Sequence, residues 1–361
     1  MTHEMNLVTL DAAGLRQFQA LQSDAVTAVT NRFYSVHATL YERYGIRGRE
    51  ACSEDLAFHL EFLRPVLEFG LLQPMLDYLQ WLNGVLTARQ IPTQHLALSL
   101  DWLADFFAEH MDLESGAIVV AALQTARVSF QADGMMPLLP KIPYEPWPEL
   151  ADFEAALLAG KRNQAYEVLN RCIAQGKRLI EIEMCIIQPA LYAIGEKWQA
   201  NQVSVAQEHM ATAIAQSVMT LALQHFEPAP AIDKRILLAC VEGNNHAVGL
   251  QMVADAFLLA GWDVQYLGAN VPVQSLIEQT AQYQPDLIGL SVSFPQQVRT
   301  ARAVITQLKS HFGDKSPAVI VGGLAFNRFN GLVGVVDADT FAADAQSATQ
   351  QANSVMENSC R

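Results

Sequence analysis

The chain has 361 residues, a formal net charge of −14, 51% apolar residues and 17% charged residues. That length allows two or three domains with proper cores, and the composition is that of an ordinary globular chain. The acidic balance offers no basic patch to replace counterions on phosphates, which argues against direct nucleic-acid binding. No run approaches eighteen uninterrupted apolar residues, and the opening MTHEMNLVTLDAAG lacks a basic stretch followed by an apolar one. A cytoplasmic chain without a membrane span is therefore expected. Cys52, Cys172, Cys185, Cys240 and Cys360 show neither a CxxC pair nor zinc spacing, and read as reduced thiols.

Residues 9 to about 132 read as helix. Apolar residues recur at three and four spacings in Phe58, Phe62, Leu63, Val66 and Leu67, and again in Leu96, Leu100, Leu103 and Phe107. Breaks are expected at Gly45-Ile46-Arg47-Gly48, at Gly70, at Gln90-Ile91-Pro92 and at Asp112, with Thr93 as an N-cap. This predicts an all-α domain over 1–133 with six or seven helices. The stretch 134–148, GMMPLLPKIPYEPWP, holds five prolines and reads as a linker.

Four helical segments follow, at about 149–159, 162–175, 178–198 and 203–226, and predict a four-helix bundle over 149–226. Pro228, Pro230 and Asp233 mark a second linker. From Lys234 short apolar runs alternate with helical stretches: RILLACV (235–241), DVQYLG (263–268), DLIGLSV (286–292) and AVIVGG (318–323). ADTFAAD (338–344) supplies a fifth run and a final helix follows. The alternation predicts a doubly wound, Rossmann-like α/β domain with a parallel sheet over 234–361. In such sheets ligands bind beyond the carboxyl ends of the strands.

Three groups fall at those ends. After the first strand comes Glu242-Gly243-Asn244-Asn245-His246-Ala247-Val248-Gly249. His246 is placed to offer a ring nitrogen to a metal, Asn244 to bond the other ring nitrogen, and Gly249 to admit a close approach. Ser291 and Ser293 share strand parity and so a face. Gly322-Gly323 end the fourth strand and leave room for a ligand edge. Singly, each has an ordinary structural explanation in turn and core chemistry.

Together, His246-x-x-Gly249, Ser291-x-Ser293 and Gly322-Gly323 resemble the cobalamin-binding domains of methionine synthase, corrinoid shuttle proteins and cobalamin-dependent mutases. The resemblance implies that His246 is the lower ligand to the cobalt, and that Ser291, Ser293, Gly322 and Gly323 line the slot for the cofactor's tail. The family usually has an aspartate where this chain has Asn244, which implies a weaker histidine–cobalt bond. In the helical segments, Trp198 followed ten residues later by Glu208 and then His209 is similar to the cap of CarH-type light-responsive cobalamin regulators. That similarity implies adenosylcobalamin, with these three residues packed on its upper group. Such regulators carry a histidine after the tryptophan, where this chain has Gln199. The plain alternative is a core tryptophan and a surface charged pair.

In the amino-terminal domain Arg47, Arg49, Glu54, Asp55, His59, Arg64, Tyr78, Trp81 and His95 stand out. Asp55 and His59 are four apart and share a helix face. The stretch Arg49 to Leu60, with Asp77-Tyr78-Leu79-Gln80-Trp81, resembles photocobilins, whose extra domain is a degenerate globin that holds a bilin such as biliverdin. By that resemblance Arg47, Arg49, Asp55, His59, Tyr78 and Trp81 are candidate bilin-binding residues. A haem held by His59 or His95 is an alternative, as is a helical interaction domain with a core histidine; Cys52 reads as a plain thiol near this cluster rather than a thioether link.

The leading expectation is a cobalamin photoreceptor that signals through an unidentified protein partner, with homo-oligomerisation left open. The alternatives are a corrinoid carrier for a methyltransferase and a cobalamin-dependent antirepressor of a transcription factor. No GxSxG elbow, P-loop or HExxH motif suggests an enzyme.

Overall fold

The computed structural model describes residues 7–132, 145 and 147–359. Most of the proline-rich linker and Cys360 lie outside the described residues. The chain divides into two compact units, Met1–Leu138 and Leu139–Arg361.

The first unit is helical: α1 (Ala12–Val36), α2 (Ala38–Tyr41), α3 (Gly45–Phe69), α4 (Gln73–Ala88), α5 (Gln94–His110) and α6 (Leu113–Ala132). Two expectations are corrected here. The break foreseen at Gly45–Gly48 falls earlier, between Val36 and Gly45, because Gly45 (φ +62°) opens α3 and Gly48 lies within it. Thr93 precedes α5 with helical dihedrals, and its side chain makes no capping bond. Helices α1, α3, α5 and α6 pack around Phe18, Leu63, Leu67, Leu103 and Phe107, all fully buried, whereas Phe58 of the expected apolar stripe is exposed.

The second unit begins with α7 (Leu150–Leu158) and α8 (Arg162–Ala174). Next, α9 (Leu179–Ile182), a π turn (Glu183–Ile187) and α10 (Gln188–Gln199) run on as one helix. Then comes α11 (Val205–Leu223), whose Ser204 hydroxyl accepts the Gln207 N–H in a capping box. These helices pack around Phe153, Leu157, Leu169, Ile186 and Met219, and the same apolar cluster continues through Met252, Ala256 and Ala345 of the following α/β domain.

That domain has strands β1 (Arg235–Val241), β2 (Asp263–Val271), β3 (Leu287–Ser291), β4 (Ala318–Gly322) and β5 (Thr340–Ala342), all parallel, in the order β2-β1-β3-β4-β5. Between and after them run α12 (Val248–Leu259), α13 (Val273–Tyr283), α14 (Val298–Phe312), α15 (Leu324–Arg328) and α16 (Ala345–Ser359). β1 and β3 are buried along nearly their whole length, as unbroken apolar runs in a sheet covered on both faces should be. α12 packs beside α16 and α13 beside α14, as a doubly wound sheet requires. The direction of travel reverses between β1 and β3, and the crevice opens there. β2 extends to Val271, three residues past the run read from the sequence, because Val241 and Val271 still pair beyond a register shift.

Candidate functional site

The loop after β1 and the loop after β3 flank this switch point. The β1 loop is pinned from both sides. The Gly243 N–H donates to Asn270 Oδ1 (2.7 Å), and the Asn270 N–H to the Asn244 carbonyl (2.9 Å). From the β3 side, Gln297 Nε2 donates to the Gly243 carbonyl (2.8 Å), while its Oε1 accepts the N–H groups of Ser293 and Phe294 (both 3.1 Å).

Asn244 is the centre of the arrangement, with 0% of its surface exposed. Contrary to the expectation from the sequence, its amide does not bond the imidazole of His246. Oδ1 accepts the main-chain N–H of His246 (3.1 Å), and Nδ2 donates to the Ser291 carbonyl (2.9 Å). Both polar ends are spent on backbone because the loop, buried at that point, has two main-chain groups to satisfy.

His246 itself is exposed at the sheet end, with the Phe294 ring edge-on to it at 5.1 Å. The protein crowded around the ring lowers its pKa, and the Glu208 carboxylate pulls the other way. A neutral imidazole is the form that binds a metal. Glu208 comes from α11, so the helical segment lies within electrostatic range of the strand-end loop. Glu208 Oε1 accepts from Thr212 (3.1 Å), and Oε2 pairs with Nδ1 of the exposed His209. Trp198 is half-buried near the end of α10.

Ser291 and Ser293 are both buried at the end of β3. The Ser291 hydroxyl lies beside the Cys240 thiol, which burial pushes up to about 11, so that thiol is unreactive. The two glycines have reasons within the fold. A Cβ at Gly322 would lie 2.8 Å from the Ala342 carbonyl oxygen. At Gly323 (φ +103°) it would lie 2.4 Å from the Val292 carbonyl oxygen. The fold itself thus demands both glycines, whether or not a ligand edge lies beside them. At Gly249 a Cβ would meet nothing within 4 Å. Phe294 and Gln297 were not singled out from the sequence; only their place just past a strand end marks them.

In the first unit, Tyr41, Cys52, Asp55, His59, His95 and Ser99 line a cavity of about 130 Å³. His59 is completely buried and satisfied. Its Nδ1 lies 2.6 Å from the Asp55 carbonyl and 2.9 Å from the Tyr78 hydroxyl, and its Nε2 lies 3.0 Å from the Ser99 hydroxyl, which donates to the Leu96 carbonyl (2.7 Å). Burial lowers its pKa to about 4 and raises that of Asp55 to about 6. His95 Nδ1 pairs with the Tyr41 hydroxyl (2.9 Å), and its ring stacks on His37. Trp81 stacks on Tyr78, Arg49 lies over Tyr34, Arg64 pairs with Glu68, and Arg47 and Glu54 are exposed. Neither Arg47 nor Arg49 lines the cavity. Small-molecule pockets begin at roughly 300 Å³, so this cavity does not fit a bilin or haem, and the ring nitrogens of His59 are already engaged.

The C-terminal unit is a bundle joined to a doubly wound sheet with a histidine loop at its switch point, and comparison with known proteins gives that class a name. Residues 234–341 match a family model described as a B12 binding domain, and residues 149–222 match a second B12 binding domain model. The chain therefore carries B12-binding domains over both its bundle and its sheet. It is 32% identical over 124 residues to the HTH-type transcriptional repressor CarA of Myxococcus xanthus, covering 34% of this chain and 42% of that protein. For CarH of the same organism the figures are 29% over 140 residues, 39% and 46%. The matched region thus spans less than half the length of these two relatives. The dimethylamine corrinoid protein of Methanosarcina barkeri is 27% identical over 217 residues, 58% of this chain and 96% of that one. Among solved structures, the monomethylamine corrinoid protein of Methanosarcina barkeri aligns with a TM-score of 0.48 at 18% identity, over 57% of this chain and 98% of that one. No helix among the described residues is long and apolar enough to cross a membrane.

Proposed function

We propose that the chain is a light-responsive cobalamin-binding regulator that passes its signal to a partner protein. In this reading 234–361 holds the cofactor, 149–226 caps it and 1–133 is a sensor or docking domain. The observation that carries the sensor reading is Glu208. It stands on α11 close enough to raise the pKa of His246, which brings the helix bearing Glu208-His209, spaced from Trp198 as in light-responsive cobalamin regulators, to the strand end.

When bound, adenosylcobalamin supplies a cobalt–carbon bond that light breaks. His246, neutral and exposed, would hold the cobalt. Ser291, Ser293, Gly322 and Gly323 would line the tail, and Gly249 would leave its open side free. Trp198, Glu208 and His209 would pack against the upper group. Loss of that group would remove part of the bundle's packing, and α11 would shift as the bistable element. The chain brings no catalytic machinery of its own to this reading.

The test is an absorption spectrum of full-length protein mixed with adenosylcobalamin, desalted in darkness and scanned before and after blue-green light. Retained corrin bands that change with light, and a changed spectrum in His246→Ala, are expected; failure to retain the corrin refutes the reading. A bilin in the first unit would require the His59–Ser99 and Tyr41–His95 pairs to open. Adding biliverdin and finding a red band that survives desalting would establish it. A corrinoid carrier is the second reading, favoured by a match running along 96% of a dimethylamine corrinoid protein. It requires a retained corrin that is inert to light and a preference for the methyl form. An antirepressor shares the sensor chemistry and differs in having a transcription factor as partner.

A further inference from the structure

The π turn at Glu183–Ile187 interrupts the helix that runs from Leu179 to Gln199. Such wide turns sacrifice regular bonding and recur at functional positions. Its first residue, Glu183, is 0% exposed, and neither Oε1 nor Oε2 has a hydrogen-bond partner. Across from it on α12, Asp255 is 6% exposed, and its Oδ2 has none either. The two side chains interact directly. Two carboxyl groups with no donor from outside can bond each other only when one carries a proton.

The setting favours that form. Ile182, Ile186 and Ile187 from the bundle helix, Met252 and Ala256 from α12, and Ala345 from α16 belong to one buried apolar cluster. Burial, then the neighbouring Asp255, raise Glu183 well above the usual carboxylate range; burial raises Asp255 to about 6, against the lowering effect of the bond from Glu183. Tyr266 on β2 is the other titratable group that faces Asp255, and its hydroxyl donates to the Ala247 carbonyl (3.2 Å). Among the described residues of α7, α11 and α16, none acts on either carboxyl.

We propose that Glu183 and Asp255 form a one-proton clasp between the bundle and α12, and that parting these two elements releases the proton. Closed, the pair is Glu183–CO2H donating to the Asp255 carboxylate, with one proton and a charge of −1. Opened to water at neutral pH, both groups ionise, the O–H bond of Glu183 breaks and the proton goes to solvent. α12 begins two residues after His246, so the clasp ties the bundle to the helix leading from the proposed cobalt ligand. That connection rests on the cobalamin reading; the clasp does not.

The experiment uses full-length protein without added cofactor, in the dark. Infrared spectra at pH 7 should show a protonated carboxyl C=O band that shifts in deuterated water. Ordinary carboxyls are ionised there. The band should vanish in Glu183→Gln, whose amide still donates to Asp255 and keeps the clasp shut. Amide exchange in 179–199 and α12, corrected for the intrinsic rate, should rise by up to about tenfold per pH unit from pH 5 upward in the natural chain. It should stay flat in Glu183→Gln. Asp255→Asn, which supplies a donor to Glu183, serves equally if the first variant fails to fold. Absence of the band at pH 7, or its persistence in both variants, or an unchanged exchange slope, overturns the clasp. Loss of corrin binding would overturn the functional reading and leave these results untouched.

Discussion

Asn244→Asp restores the residue expected at this position in cobalamin domains, and the geometry predicts that it harms the fold. The side chain is fully buried, and its Nδ2 donates to the Ser291 carbonyl at 2.9 Å. An ionised carboxyl there sets an oxygen against that carbonyl. The lost bond costs about 1 kcal/mol and the buried mismatch another 1 to 3. The bond from the His246 N–H to Oδ1 (3.1 Å) becomes charge-assisted and offsets part of this. The net cost at pH 8 is on the order of 2–3 kcal/mol. The introduced carboxyl would have its folded pKa raised, because its protonated form regains a donor for Ser291. The native state then binds more protons than the unfolded state. The deficit should therefore shrink as pH falls towards the unfolded carboxyl value near 4, by at most about 1.4 kcal/mol per unit. Because the chain has two compact units, a single melting curve mixes them. Amide exchange in β1 and β3 peptides reads the relevant domain alone. Protection at pH 8 equal to that of the natural chain, or a deficit that grows on acidification, would refute the reasoning.

Three further outcomes follow from the same structure. Gly323→Ala places a Cβ 2.4 Å from the Val292 oxygen at φ +103°; strain and overlap together should cost roughly 2–5 kcal/mol, and a melting temperature of the C-terminal unit within a degree of the natural one would count against this. His59, held at about 4 rather than 6.5, contributes stability that is fully present above pH 6.5 and is lost as pH falls through 4. Roughly 3 kcal/mol is involved, so exchange in α3 and α5 should accelerate between pH 6.5 and 4, and a flat profile would show that His59 is not buried neutral. Gln297→Leu removes three main-chain bonds and should loosen residues 242–247 and 292–297 by about 1–3 kcal/mol while leaving exchange in α7 and α8 unchanged.

The sheet was legible because burial on both faces leaves its strands as unbroken apolar runs between turn residues. RILLACV matched β1 residue for residue. β2 was read short because Gly268, Ala269 and Asn270 carry no apolar signal, and their pairing depends on a register shift that a single strand cannot announce. The Gly45–Gly48 break was misplaced for a related reason. Glycine marks a backbone that can bend, and whether a helix ends or starts there depends on the neighbours. Nothing in the sequence marks Glu183. A lone acid in a helical run looks like a surface residue, and its burial follows from Asp255, seventy-two positions along the chain.

The candidate site divides along the same line. Its residues could be named from spacing, whereas their partners could not, since those partners arrive from other strands. Asn244 looked like a support for an imidazole and turned out to support two backbone groups. Gly322 and Gly323 looked like space for a ligand, yet the carbonyls of Ala342 and Val292 already demand them. A motif residue that the fold itself requires says little about a ligand, because it would stand there without one. Gly249 is different. No protein atom within 4 Å accounts for it, and an exposed neutral histidine three residues earlier is likewise explained by nothing in the core. Those two positions, more than the buried serines and glycines, are where the chain points to a group outside itself.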